Sequence, residues 1–135
     1  MTVATYLDMA THVAMFSRDP STKVGCVIVS HGQVVATGYN RFPRGLDEHP
    51  RIETRETKYK YILHAEEVAL LKRHVPLYSD LYCTLMPCSK CARLIIHAGI
   101  SRVIAGSYGP PRMHADFELS RSMFFEAGVS LQVLE

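Results

Sequence analysis

The sequence has 135 residues, of which 47% are hydrophobic and 21% are charged, and its formal net charge is +2. A chain of this length and composition is expected to fold as one domain, residues 1–135, with a packed core, which excludes a disordered or fibrous protein. The charge is too small to indicate nucleic acid or an anionic membrane as a partner, and no apolar run approaches the roughly 20 residues that span a bilayer.

The cysteines and the N-terminus indicate the cellular compartment. Cys26 and Cys83 lie in strand-like runs and Cys88 and Cys91 form a tight pair, which is poor spacing for a secreted disulfide framework. The N-terminus has no basic segment followed by a continuous apolar one, the pattern of a secretory signal. We therefore expect a cytoplasmic protein with reduced cysteines.

The first half of the chain predicts a helix, a hairpin and a long loop. Apolar residues at helical spacing indicate an amphipathic helix over residues 2–17. Two β-branched runs, 24–30 and 33–39, are separated by a His-Gly pair, which predicts an antiparallel hairpin. Residues 41–60 carry proline, glycine and many charges, and we predict an irregular loop there, of a length that is usually functional or disordered.

The second half of the chain alternates helices with strands. Helices are predicted for residues 64–74, 88–98 and 113–127, and strands for residues 81–86, 101–106 and 129–134. Strands joined by crossover helices form parallel sheets with helices on both faces. The sequence therefore predicts an α/β fold, a three-layer α/β/α domain around a mixed five-stranded sheet that is parallel in its second half.

Cys88 and Cys91 provide the first chemical signal. Residues three apart lie on one face of a helix, so both thiols can bind one ion. Pro87 favours a helix start here, and the free amides and dipole of a helix N-terminus favour thiolate over thiol. Two thiolates at this spacing favour zinc, whose other ligands then come from elsewhere in the chain.

His64 is the predicted third ligand. It also lies at a predicted helix start, and open sheets bind ligands at the edge where such helix starts converge. Glu66 follows two residues later, about 200° away on a helical wheel. The two side chains can therefore share a site only if His64 occupies the cap position. In that case a fourth zinc position is left for water, and the carboxylate can take that water's proton.

Other interpretations of the cysteines stay open at this point. A lone CxxC pair can also be a redox pair or half of a structural zinc site, and Cys83 could close the site as a fourth ligand. Because strand cysteines usually pack as small hydrophobic residues, Cys26 and Cys83 are expected in the core. The remaining histidines have no paired ligand at useful spacing and are expected at the surface or in the core.

Several stretches resemble the deoxycytidylate (dCMP) deaminases of the cytidine deaminase superfamily. HAE followed by PCSKC matches the H-x-E…P-C-x-x-C signature of the zinc deaminases. The similarity covers about residues 17–104 and includes SRDPSTKVGCVIV, GYNRFPRG and TKYKYILHAEE. The tRNA adenosine deaminases share the zinc motif but do not usually carry DPST or GYNxFPRG, which favours a mononucleotide substrate. The resemblance implies a cytidine deaminase-like fold.

The resemblance also implies a reaction, the zinc-dependent hydrolytic deamination of dCMP to dUMP and ammonia, which supplies dUMP for thymidylate synthesis. His64, Cys88 and Cys91 match the family's zinc ligands, and Glu66 matches its proton shuttle. No redox cofactor is expected. Family members are typically homohexamers that respond to dCTP and dTTP.

Two alternatives to this function stay open. One is a related deaminase acting on 5-substituted dCMP, dCTP, a cytosine nucleoside or a base in RNA. The other is a non-catalytic, zinc-stabilised binding module, against which the carboxylate of Glu66 argues, because a purely structural site has no need of it.

Substrate contacts are implied by the resemblance at two positions and predicted from charge at two others. The backbone N–H of Ala65 is expected to hold the pyrimidine O2, and Asn40 is expected to contact the sugar. Lys23 and Arg41 lie near the same end of the predicted hairpin, so both could reach one 5′-phosphate.

Three parts of the chain depart from the family pattern. Arg41 stands where family members commonly have glycine, and Val68 where they commonly have asparagine. The segment after the fourth predicted strand reads GSYGPPRMHADFE, whereas the family usually continues with a tyrosine and an aspartate. These departures bear on tolerance of a modified base and on regulation by nucleotides.

Overall fold

The computed structural model describes residues 2–72 and 74–135. Its strands are β1 Gly25–Ser30, β2 Gln33–Tyr39, β3 Asp80–Cys83, β4 Arg102–Ala105 and β5 Ser130–Val133. Its α-helices are α1 Val3–Ala14, α2 Arg55–Tyr61, α3 Ala65–Leu70, α4 Ser89–His97 and α5 His114–Ala127, and single 3₁₀ turns occupy Arg51–Glu53 and Pro111–Met113. Among the described residues, no helix has the length and apolar character needed to cross a membrane.

The strands form one mixed sheet in the order β2-β1-β3-β4-β5. Strand β1 pairs antiparallel with β2 and with β3, whereas β3, β4 and β5 run parallel. The predicted sheet, parallel in its second half, is therefore confirmed.

The turn between β1 and β2 follows from its two residues. His31 and Gly32 both have positive φ, 50° and 75°, as a two-residue type I′ hairpin turn requires. Strand pairing continues directly from this turn, with Ser30 opposite Gln33. The predicted hairpin is confirmed.

Helices cover both faces of the sheet, because alternate strand residues point to opposite sides. On one face, Val27 and Val29 of β1 pack with Tyr6 and Ala10 of α1. On the other face lies the larger core, formed by Cys26 of β1 and further strand residues with side chains of α3, α4 and α5. The three-layer α/β/α architecture is confirmed, and the expected burial of Cys26 and Cys83 is confirmed as well.

Helix α3 packs very closely on strand β2, at Gly38. A Cβ atom at this position would lie 2.3 Å from the carbonyl oxygen of Ala65 and 2.6 Å from the backbone nitrogen of Ala69. Only glycine allows this approach. The contact places the first turn of α3 directly above the sheet.

The prediction of an irregular loop over residues 41–60 is wrong in its second part. Helix α2 begins at Arg55, after a 3₁₀ turn at Arg51–Glu53. The buried residue of α2 is Lys58, so no apolar stripe marks this helix in the sequence.

Two predicted helices are shorter in the structure. Helix α1 ends at Ala14, because the chain then turns and the Ser17 hydroxyl donates a hydrogen bond to the carbonyl oxygen of Asn40 (2.9 Å). Helix α3 ends at Leu70. The prediction to residue 74 includes Arg73, which lies outside the described residues.

Candidate active site

His64 is the N-cap residue of α3, with extended backbone angles of φ −77° and ψ 156°. Its backbone N–H donates a hydrogen bond to the Glu67 carboxylate (2.9 Å), which ties the cap to the first turn. The condition for His64 and Glu66 to share one site is therefore met, because a cap residue does not follow the helical wheel.

The two cysteines occupy the start of α4. Cys88 is the N-cap residue and Cys91 lies in the first turn. The carboxylate of Asp116, on α5, accepts hydrogen bonds from the backbone N–H (2.8 Å) and the hydroxyl (2.6 Å) of Ser89. Helix α5 thus holds the turn that carries both thiols.

His64, Cys88 and Cys91 converge on one point, with their possible ligand atoms all within 4.8 Å of one another. The His64 Nδ1 atom lies 3.4 Å from the Cys88 sulfur and 3.3 Å from the Cys91 sulfur. Bonds of about 2.3 Å to sulfur and about 2.0 Å to nitrogen, at a tetrahedral angle, place such ligand atoms about 3.5 Å apart. One imidazole and two thiols in this arrangement fit a zinc ion with one position open.

The pKa shifts of the two thiols prepare one of them, Cys88, for metal binding. A hydrogen bond from the Cys91 thiol, with the adjacent His64, lowers the pKa of the Cys88 thiol to about 4. Sharing its proton with Cys88, together with burial, raises the pKa of Cys91. Cys88 is therefore the thiolate of the pair and Cys91 the thiol. A zinc ion that binds both sulfur atoms displaces the proton of Cys91.

Glu66 lies beside this cluster and is almost completely buried, at 4% exposed. Burial raises the pKa of its carboxyl to about 7, against the opposing effect of the nearby His64. A carboxyl that titrates near neutral pH can both accept and donate a proton, as a general acid–base group must.

A cavity of about 380 Å³ opens over the cluster, a volume typical of small-molecule sites. Its wall includes His64, Ala65, Glu66 and Cys88 from the metal side and Asn40 from the end of β2. Five of the residues predicted to act together therefore line one cavity. Cys91 is fully buried and is not among the lining residues.

Asn40 is buried and bonded on both sides of its amide. Its Oδ1 atom accepts a hydrogen bond from the Val24 N–H (2.9 Å), and its Nδ2 atom donates to the carbonyl oxygen of Thr22 (2.9 Å) and to the Asp19 carboxylate (3.4 Å). The amide is therefore fixed in orientation on the cavity wall.

The two predicted phosphate ligands lie elsewhere. Arg41 lines a neighbouring cavity of about 470 Å³, and its guanidinium donates to the Tyr39 hydroxyl (3.1 Å). Lys23 is exposed and is not among the residues lining either cavity. Contact of either residue with a phosphate stays a prediction.

Sequence reasoning missed the ion pair of Lys58 with Asp19, two residues that both line the cavity over the cluster. The sequence did offer one signal for this pair. Asp19 lies in DPST and Lys58 in TKYKYILHAEE, two of the stretches on which the family resemblance rests.

Comparison with known proteins follows the same residues. The family described as the cytidine and deoxycytidylate deaminase zinc-binding region matches residues 2–107. This chain belongs to that family. Zinc is the family's metal, and the donor set of His64, Cys88 and Cys91 is positioned for it.

Individual family members are similar over most of the chain. An uncharacterized deaminase from the luxG 3′ region of Aliivibrio fischeri is 38% identical, with 93% of this chain and 88% of that protein covered. The human deoxycytidylate deaminase is 35% identical, with 94% and 76% covered. The dCMP deaminase of cyanophage S-TIM5, solved in complex with dCMP and dUMP, is 25% identical with a TM-score of 0.77, and 96% and 94% of the two chains are covered.

Proposed function

We propose that this protein catalyses the zinc-dependent hydrolytic deamination of dCMP to dUMP and ammonia, and that residues 1–135 form a single deaminase domain. The observation that carries the proposal is the position of Glu66, a buried carboxyl on the wall of the same cavity as the His64, Cys88 and Cys91 cluster. A structural zinc site has no use for such a group. The similarity to dCMP deaminases over most of the chain supports the substrate.

Zinc held by His64, Cys88 and Cys91 supplies Lewis acidity that brings the pKa of a water molecule toward neutral pH. Glu66 accepts a proton from this water and passes it to the ring nitrogen N3, while the water oxygen adds to C4 of the base. Glu66 then transfers the second proton of the water to the amino group, which leaves as ammonia. The water oxygen becomes the C4 carbonyl oxygen of dUMP.

Two neighbouring groups orient the substrate. Ala65 is the first residue of α3, so its N–H has no partner within the helix and can donate to the pyrimidine O2. The Asn40 Oδ1 atom accepts one hydrogen bond and has a second lone pair left, with which it can accept from a sugar hydroxyl.

We further propose how the protein is regulated, how it assembles and where it is located. The neighbouring cavity shares Asn40 with the first cavity and is lined by Arg41 and Arg44, by Arg18 paired with Glu48 (3.1 Å), and by Asp47. Arg41 and Arg44 are the cations there that support dCTP and dTTP as effectors. We also propose a homo-oligomer, typically a hexamer, checked by a light-scattering mass at micromolar concentration. The four free cysteines, two of which must stay reduced to bind metal, support a cytoplasmic location.

The test is an ammonia-release assay with dCMP, 5-methyl-dCMP, 5-hydroxymethyl-dCMP, dCTP, CMP and deoxycytidine. The highest kcat/KM is expected with dCMP. A higher kcat/KM for another compound would mean that this compound, and not dCMP, is the substrate of the same deamination reaction. If the zinc-loaded protein releases no ammonia from any of these compounds, the proposed reaction is rejected and the protein is a non-catalytic, zinc-stabilised binding module.

A further inference from the structure

We infer that Arg112 binds the 5′-phosphate of the nucleotide and so determines the preference for a nucleotide over a nucleoside. The inference rests on the proposed function and deepens it. Arg112 belongs to the segment GSYGPPRMHADFE, in which this chain departs from the family pattern. The sequence provides no spacing rule that connects this residue with the zinc motif.

The first argument is charge. Three cations line the cavity over the metal cluster, namely Lys58, Lys90 and Arg112. Lys58 is neutralised by the Asp19 carboxylate at 3.0 Å, and Lys90 lies 3.9 Å from Glu67. Of the cavity cations, Arg112 alone has no ion pair or hydrogen bond within the described part of the chain. Among the described residues, Arg112 is therefore the cavity cation with no competing carboxylate, whereas Lys90, whose side chain is 58% exposed, is only weakly held by Glu67.

The second argument is the ligand's own charge. A phosphate monoester carries a charge of about −1.5 to −2 at neutral pH. The same cavity is also lined by the Glu66 carboxyl, which repels such a group when it is ionised. The Arg112 guanidinium in the same cavity attracts the phosphate and can bind two phosphate oxygens at once through its planar fork. The arrangement favours one orientation, with the base toward the metal ligands and the phosphate toward Arg112.

The third argument is the rigidity of the strap, the segment 106–113 that carries Arg112. The Met113 N–H donates to the carbonyl oxygen of Pro110 (3.0 Å), which closes the 3₁₀ turn Pro111–Met113 around Arg112. The His114 ring lies 3.0 Å from the carbonyl oxygen of Gly109 and packs against the Tyr108 ring at 4.7 Å. A backbone held in this way loses little entropy when Arg112 binds a ligand.

The strap is also a wall of the cavity. Pro110 and Met113 of the strap line the cavity together with Arg112, as does Phe117 of α5. Gly109 has φ +81° and packs closely against the side chains of Leu85 and Phe117. A Cβ atom at this position would lie 2.8 Å from the Leu85 side chain and 3.0 Å from the Phe117 ring. The strap is thus packed against residues that line the same cavity.

The test compares kcat/KM for dCMP and for deoxycytidine in zinc-loaded wild type, Arg112→Ala and Arg112→Lys. Arg112→Ala is expected to lower kcat/KM for dCMP roughly 10- to 150-fold, the effect of one charge-assisted contact, and to leave deoxycytidine unchanged. Arg112→Lys keeps the charge but loses the fork, so its loss on dCMP is smaller. Arg93→Ala is the matched control, because Arg93 is an exposed arginine of α4 that lines neither cavity.

Binding of dUMP and of deoxyuridine, measured by calorimetry, gives a readout that needs no turnover. Arg112→Ala is expected to weaken dUMP binding by the same factor and to leave deoxyuridine binding unchanged. Failure of the wild type to deaminate any cytosine compound, with dUMP binding still weakened by Arg112→Ala, would reject the proposed function and support the phosphate site.

Three results would overturn the assignment of Arg112. Equal losses on dCMP and deoxycytidine would mean that Arg112 maintains the strap and does not touch phosphate. Unchanged dUMP binding in Arg112→Ala would exclude the contact directly. If Arg41→Ala lowers kcat/KM for dCMP alone and Arg112→Ala does not, the phosphate is bound by Arg41, the residue predicted from the sequence.

Discussion

The ammonium group of Lys58 lies 3.0 Å from the carboxylate of Asp19, and both side chains are only 4% exposed. The same ammonium donates a hydrogen bond to the Ser21 hydroxyl (2.9 Å), while the Asp19 carboxylate accepts from the backbone N–H groups of Ser21 (2.9 Å) and Thr22 (3.1 Å). One buried ion pair therefore joins α2 to the turn before β1. Asn40 bonds to that turn, so the pair also supports the cavity wall.

The first prediction concerns the stability that this pair provides. Lys58→Met leaves a buried carboxylate without its counterion and is expected to lower the free energy of unfolding by about 3–5 kcal/mol. The double variant Asp19→Asn, Lys58→Met removes both charges, so its free energy of unfolding should fall clearly less than that of Lys58→Met. Chemical denaturation of the zinc-loaded proteins provides the measurement.

Arg102→Met is the control for that prediction, because Arg102 pairs with Asp80 at 2.9 Å but the two side chains are 40% and 29% exposed. Partly exposed pairs contribute about 0–1 kcal/mol. A loss in Lys58→Met no larger than in Arg102→Met would show that the buried pair adds little.

The second prediction is the pH dependence of the same contribution. Burial alone would raise the pKa of Asp19, but hydrogen bonds from Ser21, Thr22 and Lys58 outweigh it and lower the pKa below 3.8. A lowered folded-state pKa means stability that is complete above the unfolded value and lost as the pH falls through the folded value.

The difference in the free energy of unfolding between wild type and the Asp19→Asn, Lys58→Met variant should therefore stay constant from pH 7 to about 5. Below about pH 4, wild type should lose stability relative to the variant. Loss of zinc in acid affects both proteins alike and cancels in the comparison. Unfolding measured at each pH checks this. A difference that stays constant down to pH 3 would contradict the lowered pKa of Asp19.

The third prediction is metal content. Cys88→Ala leaves only two protein ligands for zinc, so the variant should lose both the metal and the activity. Atomic absorption on protein purified at micromolar zinc measures the stoichiometry, which is expected to be about one per chain in the wild type. Cys83→Ala is the matched control and tests Cys83 as a fourth ligand. Full zinc in Cys88→Ala, or loss of zinc in Cys83→Ala, would require a different ligand set.

The fourth prediction separates catalysis from metal binding. Glu66→Gln keeps the shape and the hydrogen bonding of the side chain but cannot carry a proton, so turnover should fall by roughly 100-fold or more with zinc retained. Glu67→Gln is the neighbouring control, since an amide oxygen can still accept the bond from the His64 N–H. Loss of zinc in Glu66→Gln would instead make Glu66 a ligand.

The sequence by itself determined the chemistry and most of the architecture. The spacing of Cys88 and Cys91 behind a proline specified a chelating pair at a helix start, and the β-branched runs with their turn specified the hairpin. These features are local, because helix caps, turn residues and the alternation of strand side chains act within a few residues. They can be read without knowledge of distant contacts.

Only the tertiary structure decided how distant residues combine. Helix α2 is held by Lys58 against Asp19, a contact across 39 positions that leaves no periodic apolar signal. Whether His64 and Glu66 share one site depended on the place of His64 at the cap of α3, which the structure supplies. Arg112 lines the cavity because its segment packs against Leu85 and Phe117. The physical reason is that ion pairs and cavity walls depend on which elements pack together. That packing is a property of the whole fold and not of any short segment.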